Sequence, residues 1–456
     1  MKMRIYHRAR GSALLITLLT AFVIGLALSS YLLLVANQNV ANMRSLAWNS
    51  AMPVIEGGIE EALTQLEFND LQHLSANQWT DLGNGWFYKS RSLDKRGYYE
   101  VMIQQSDPPI IVSTASLPAP LAPSSSFGMI LGSIVPNNPA VYVKRRVQVN
   151  TVKRPLLPYA MLAQGKIDLS GGGISTDAFD SSDPMFSTFG KYDPAKIQAS
   201  GDVESNSGLQ GMIDVGNATI MGKVGTGAGG TVTTGSNGSV GDLGWARGGN
   251  TGIEAGWGSD DVNIPIEDVQ EPFTSGYATP IGGLVGITPY TYILDGRISQ
   301  KYKLSSLSGK VYVTGGEVTL WVTDLVKFGG ADSIYIAPGA TLKLYVSAPE
   351  ATFSGNTIVN TAGTASNFQY YGLPSNKSLT FVGNAAFVGT IYAPQADLGL
   401  KGSGSSQYDF LGACVVNTVK MTGHFHFSYD LALRKQVWKG YMPAAWNELN
   451  PNAPVN

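Results

Sequence analysis

Arg8-Ala9-Arg10-Gly11-Ser12-Ala13-Leu14-Leu15 opens an apolar run that continues without a charge to Val35. As a helix, the 24 residues from Ser12 to Val35 would reach about 36 Å, enough to cross a hydrocarbon core of ~30 Å. Nine leucines, with Ile16, Phe22, Val23, Ile24 and Val35, each favour insertion by roughly 0.3 to 0.6 kcal/mol. Lys2, Arg4, Arg8 and Arg10 stand in front of the run, and the positive-inside rule keeps them cytoplasmic and sends the rest of the chain across the membrane. A secretory signal has an apolar core of about 7 to 15 residues, shorter than this one. Helical character then continues to Leu71, interrupted only by Pro53 and Gly57-Gly58. Ile55, Ile59, Ala62, Leu63 and Leu66 recur on one helical face, with Glu56, Glu60 and Glu61 off it. The pattern predicts one helix over 12–71, either an ordinary anchored helix packed on its own domain or a long helix whose outer half docks its domain while its inner half packs with other subunits.

The basic leader ending in Gly11, the small Ser12, the apolar run and the amphipathic extension together resemble the class III signal of type IV pilins and type II secretion pseudopilins. The tract Arg10-Gly-Ser-Ala-Leu-Leu-Ile-Thr-Leu-Leu19 is most similar to PilX-like minor pilins and K-type minor pseudopilins. The resemblance implies cleavage by prepilin peptidase between Gly11 and Ser12. It also implies anchoring in a bacterial inner membrane, and assembly with other pilin or pseudopilin subunits into a periplasmic or extracellular filament. Major pilins carry Glu at the fifth position after the cleavage point; here it is Ile16, which implies a minor or tip position.

Charged residues are 14% of the 456, while Gly numbers 54, about 12% against a usual value near 7%. This favours a turn-rich β protein. Net charge is −2, and removal of the four leader cations gives −2 − 4 = −6, with no basic cluster that would suit nucleic acid. The single cysteine, Cys414, cannot form an intramolecular disulfide and lies in an apolar run, Leu411-Gly-Ala-Cys-Val-Val416.

Five regions follow: a leader at 1–11, the helix at 12–71, a small strand-rich module at 72–158, a Gly-rich solenoid-like domain at 159–430 and a tail at 431–456. In the module, Trp86–Tyr88, Tyr98–Ile103, Ile110–Val112 and Val141–Val149 read as an antiparallel meander, with 113–139 a Pro- and Ser-rich loop. Beyond Tyr159 come short Val- and Ile-rich strands with Gly and Asn turns, including 18 glycines between Gly201 and Gly258. Alternations such as Val318, Leu320, Val322 and Leu342, Leu344, Val346 suit an irregular right-handed β-helix-like domain better than a sandwich. The segment 259–303, with four prolines, is expected to cross this domain or join two parts of it. The fold class is therefore mainly β, with one long N-terminal helix and a pilin-like small sheet before the solenoid. The tracts Phe179-Asp-Ser-Ser-Asp-Pro184 and Phe387-Val-Gly-Thr-Ile-Tyr-Ala-Pro394 resemble Gly-rich extracellular domains found behind PilX-like N-termini, which imply no particular activity.

No catalytic set emerges, and an enzyme is not expected. Gly225-Thr-Gly-Ala-Gly-Gly230 matches G-x-G-x-x-G formally but lacks a following helix. His424 and His426 alternate in an aromatic strand without a third metal ligand. Asp177, Asp180 and Asp183 recur every three residues, a spacing that could offer oxygens to Ca²⁺, against the simpler role of capping turns. No other cofactor is expected. Asp260-Asp261 and Glu267-Asp268 are the best carboxylate pairs for polysaccharide hydrolysis, more simply solvated turns. Trp245, Trp257 and Trp321 could stack on a surface polysaccharide, as in a membrane-anchored adhesin, or fill a β core.

Overall fold

A computed structural model describes residues 12–68, 71, 73–94, 97–119, 141–354, 358–361, 363–383, 387–402 and 409–451. The leader, with Gly11 and its four cations, lies outside the described residues. The chain forms two compact units, one holding the sequence up to Arg154 and from Trp438 onward, the other Pro155–Val437.

In the first unit, α1 spans Ser12–Phe68 without a break at Pro53. Its early apolar side chains are exposed, Ile16 at 60% among them, whereas Ala51, Ile55, Ile59, Ala62 and Leu66 are buried and Leu63 is partly so. This second stretch packs on a sheet of β1 (Thr80–Gly83), β2 (Trp86–Ser92), β3 (Tyr98–Gln104), β4 (Ile110–Ala119) and β5 (Val141–Pro155), ordered as in sequence. The pairings from β1 to β5 are antiparallel, and alternate residues Val101, Ile103, Ile111, Ala115, Val147 and Val149 face the helix.

Two expectations need correction. Residues 113–119, taken as the start of a loop, continue β4 because their small side chains touch the helix. Ser113 Oγ donates to the Ile55 carbonyl at 3.0 Å, and a Cβ on Gly58 would lie 2.5 Å from Ser113 Oγ. The C-terminal segment, taken as a tail, carries a closing strand, Val437–Leu449, beside β5, where Arg145 Nε meets Glu448 Oε1 at 3.0 Å. Glu61, off the apolar stripe, ties helix to sheet. Its carboxylate accepts from Arg91 at 2.6 and 2.9 Å and from the Tyr99 hydroxyl at 2.7 Å, with Lys89 at 3.1 Å.

The second unit is a solenoid. Apart from one hairpin, Ile281–Val285 with Thr288–Asp295, its strand pairings among the described residues are parallel. Along one face the inward positions in register are Tyr302, Leu320, Leu344, Tyr370, Ile391, Cys414, Met161, Val203 and Val224, all buried. Their order is not the order of the chain. The strand of Met161–Ala163 lies between those of Phe410–Thr422 and Val203–Ser205, so the chain enters in the middle of the stack. It winds outward to Gly258, returns to the far end, and winds back from Thr288 to Tyr429 beside its own entry. The sequence predicts that 259–303 crosses the domain or joins two parts of it; the crossing segment proper is 260–280, because strands begin again at Ile281.

The crossing segment is hydrogen-bonded to several rungs along the stack. Val262 N–H donates to Thr226 O at 2.9 Å, Ile264 pairs with the Asn206 side chain, and Glu267 pairs with the Tyr392 hydroxyl. Farther on, Phe273 packs edge-on against Trp321 at 5.7 Å, and Ala278 bridges to Tyr302. It covers an outward column made of Trp321, Tyr345, Tyr371 and Tyr392. Trp321 is thus buried, its Nε1 donating to Ser347 Oγ at 2.8 Å.

Burial raises the Glu61 carboxyl, but hydrogen bonds from Arg91, Tyr99 and Lys89 outweigh it and bring it down to about 2. A depressed carboxylate contributes its full stability above the ordinary value of 4.5 and loses it as pH falls toward 2. Glu61→Gln is therefore expected to cost on the order of 1.5 to 3 kcal/mol at pH 7, a difference from wild type that shrinks below pH 4.5 in paired denaturation curves. In the solenoid, Leu344→Ala should cost about 2 to 5 kcal/mol by urea denaturation. Leu325→Ala, at a position 48% exposed, should stay within about 0.5 kcal/mol.

Candidate functional site

The column covered by the crossing segment changes chemistry as it passes the chain's entry point. Beyond Tyr392 it continues through Val415 and Leu162 to Glu204, Gly225 and Ser259. The alternation of Val203-Glu204-Ser205 turns Val203 inward and Glu204 outward, and the start of the crossing segment then closes over it. Glu204 is left only 5% exposed, and its Oε2 has no hydrogen-bond partner among the described residues. Gly225 makes the space, since a Cβ there would lie 1.9 Å from Oε2 and 2.7 Å from Val262 Cγ2.

Beside this notch lies a cleft of about 600 Å³, lined by Tyr159, Asp202, Glu204, Lys223, Trp257, Asp261 and Arg434 together with residues 262–264. Asp202 is held by Arg434 Nη2 at 3.4 Å and by the Lys223 backbone N–H at 2.9 Å. Arg434 also donates to the Pro158 carbonyl at 3.1 Å, and the rung beneath Trp257 is fixed by Val224 N–H to the Trp257 carbonyl at 3.0 Å. Burial, with Asp202 and Asp261 adding to it and Lys223 opposing it, raises the Glu204 carboxyl to about 8. At neutral pH it is therefore a hydrogen-bond donor. Burial also raises Asp202, against the Lys223 backbone bond and Arg434, and burial followed by Glu204 and Asp202 raises the Tyr159 phenol.

The other candidates fall elsewhere. Asp177 is buried, accepting from the Tyr192 hydroxyl at 2.8 Å and lying 3.0 Å from His426 Nε2. Asp180 and Asp183 instead hold turns through the backbone N–H groups of Ser182 and Met185, at 2.8 Å each. The three aspartates do not converge, and among the described residues no group of three or more His, Cys, Asp or Glu is arranged to hold a metal. His424 stays at the surface while His426 turns to Asp177. Gly225-Gly230 lies on a solenoid turn that leads into a strand, Val232–Thr234, rather than a helix. Cys414 is fully buried, and burial pushes its thiol upward. Trp245 sits in a short helix, Leu243–Arg247, capped by Asp242; Trp257 alone of the three reaches the cleft. Asp261 lines the cleft too, whereas Asp268 accepts from Gln395 Nε2 at 3.0 Å. Glu204 escaped the sequence reading. Its only local signal is a Glu between Val and Ser in a strand, and its partner glycine is 21 residues away.

A family model described as a domain of unknown function (DUF7305) matches residues 275–436, the later-winding part of the solenoid and its exit. No curated protein matches the chain. Among solved structures, the crystal structure of the competence-associated pilin ComZ from Thermus thermophilus is similar with a TM-score of 0.28 and 10% identity, over 88% of this chain and 96% of that one. Similarity at that level establishes neither a fold family nor a role.

A carboxyl raised from 4.5 to about 8 binds its proton more tightly in the folded state, so folding stability falls as pH rises through that window. Glu204→Gln carries no such proton. Relative to wild type, the variant is expected to gain thermal stability progressively from pH 5 to pH 8.5, read as a widening gap in melting temperature.

Proposed function

We propose that this protein is a non-enzymatic structural subunit of a type IV pilus or type II secretion-type assembly, displaying its solenoid outside the cytoplasm. One observation carries the reading: α1 is a single helix from Ser12 to Phe68, and the first part of it is apolar and bare while the second is buried in its own sheet. The segment is long and apolar enough to cross a membrane, with a mean hydropathy of 2.3 and none of its most apolar window buried. Outside a membrane, such a surface needs cover from other helices of the same kind.

The cations at positions 2, 4, 8 and 10 supply a cytoplasmic leader, and cleavage by prepilin peptidase between Gly11 and Ser12 would remove them while leaving the span. Ile16 is exposed on the bare part, where a major subunit would carry Glu, which supports a minor or tip position. Glu61 and its partners keep the outer half of the helix attached to the small sheet, leaving the inner half for neighbouring pilin or pseudopilin subunits.

Mass spectrometry of the mature chain tests this reading. The expected N-terminus is Ser12, with Gly11→Val leaving the leader in place; a terminus near Ser29 or Ser30 would mean ordinary secretory processing and defeat the proposal.

A further inference from the structure

Assembly through α1 makes no use of the cleft at the start of the crossing segment. Buried carboxyls are nearly always paired, yet Glu204 Oε2, at a residue 95% buried, has no hydrogen-bond partner among the described residues and packs into a notch that exists because Gly225 has no side chain. Glu204 also lines the cleft, the open side from which a partner can reach its carboxyl. With Glu204 protonated, the formal charges around the cleft balance, Asp202 and Asp261 against Lys223 and Arg434. A strongly charged ligand would gain attraction from one pair and repulsion from the other. A neutral ligand with many hydroxyls can use every group present, giving hydrogen bonds to the carboxylates and taking them from Lys223, Arg434 and the neutral acid. The half-buried Trp257 indole adds a flat apolar surface of the kind that the C–H face of a sugar ring packs on.

We propose that this cleft binds a neutral carbohydrate, with Glu204 donating a hydrogen bond to a sugar oxygen and Trp257 packing against a sugar ring. The carboxyl's elevation to about 8 makes it a donor at neutral pH and an acceptor only at higher pH, so binding weakens as pH rises past 8. The inference is independent of the assembly reading, since neither the leader nor α1 takes part in it.

The test is calorimetric titration of the full chain in detergent micelles with maltohexaose, cellohexaose and chitohexaose, and with spermine and hexagalacturonate as cationic and anionic probes. At least one neutral oligosaccharide should bind at pH 6.5 with a single site and weaken at least about fivefold at pH 9.5. Glu204→Gln, which keeps a donor that does not ionise, should bind at pH 6.5 and lose the pH dependence. Trp257→Ala should weaken binding about tenfold; if it does not melt cooperatively, Trp257→Phe replaces it and should weaken binding about threefold. The proposal is overturned if none of the three neutral oligosaccharides binds, if only spermine or hexagalacturonate binds, or if the Glu204 and Trp257 variants bind like wild type at both pH values.

Discussion

Leu156 donates its backbone N–H to the Gln436 carbonyl at 2.8 Å, tying the point where the chain enters the solenoid to the point where it leaves. The domain is inserted between β5 and the closing strand Val437–Leu449, which are neighbours in the first sheet, so its two ends have to be close. A solenoid wound once from end to end would place its ends at opposite extremes of the stack. Here the chain starts in the middle, builds outward, crosses back and returns to its starting rung, so that Cys414 pairs with Met161 across the seam. Parallel strands keep their hydrogen bonds through the seam, and the buried core column passes it without interruption.

The crossing segment follows from that solution and shapes the outer surface. A chain that must travel back along the stack has to satisfy its own backbone groups, and it does so in part against the rungs of Thr226, Asn206 and Tyr392. Over the later-winding part it lies on stacked aromatics, Tyr345 on Tyr371 at 4.7 Å, and turns an outward column into a second dry layer. Over the earlier-winding part the same column carries Glu204 and Gly225 instead, and the segment buries a carboxyl whose Oε2 has no hydrogen-bond partner among the described residues. The local dielectric and the neighbouring Asp202 and Asp261 then keep that carboxyl neutral at physiological pH.

In the first unit the corresponding element is α1. Its outer half is held by apolar burial and by a charge-assisted network at Glu61, whose strength comes from partial exclusion of water around a bidentate Arg91 contact. Its inner half has no such cover among the described residues of the unit, and exposing so apolar a surface to water is costly.

Much was legible in the residues alone. An uncharged run of 24 residues makes the first part of α1 long and apolar enough to cross a membrane, because helix rise carries it past the hydrocarbon thickness. Alternation of Val, Leu and Ile between Gly turns determined a stacked β architecture, because strand geometry repeats every two residues. Tertiary structure decided the rest: β4 running on through Ser113–Ala119, the tail becoming a strand, the seam between Cys414 and Met161, and the notch where Glu204 meets Gly225. Each of these depends on which distant strand lies alongside. Short Gly-rich strands with no strict period carry too little local information to specify that register, and the choice is made by packing and by the need to bring both ends of the inserted domain together.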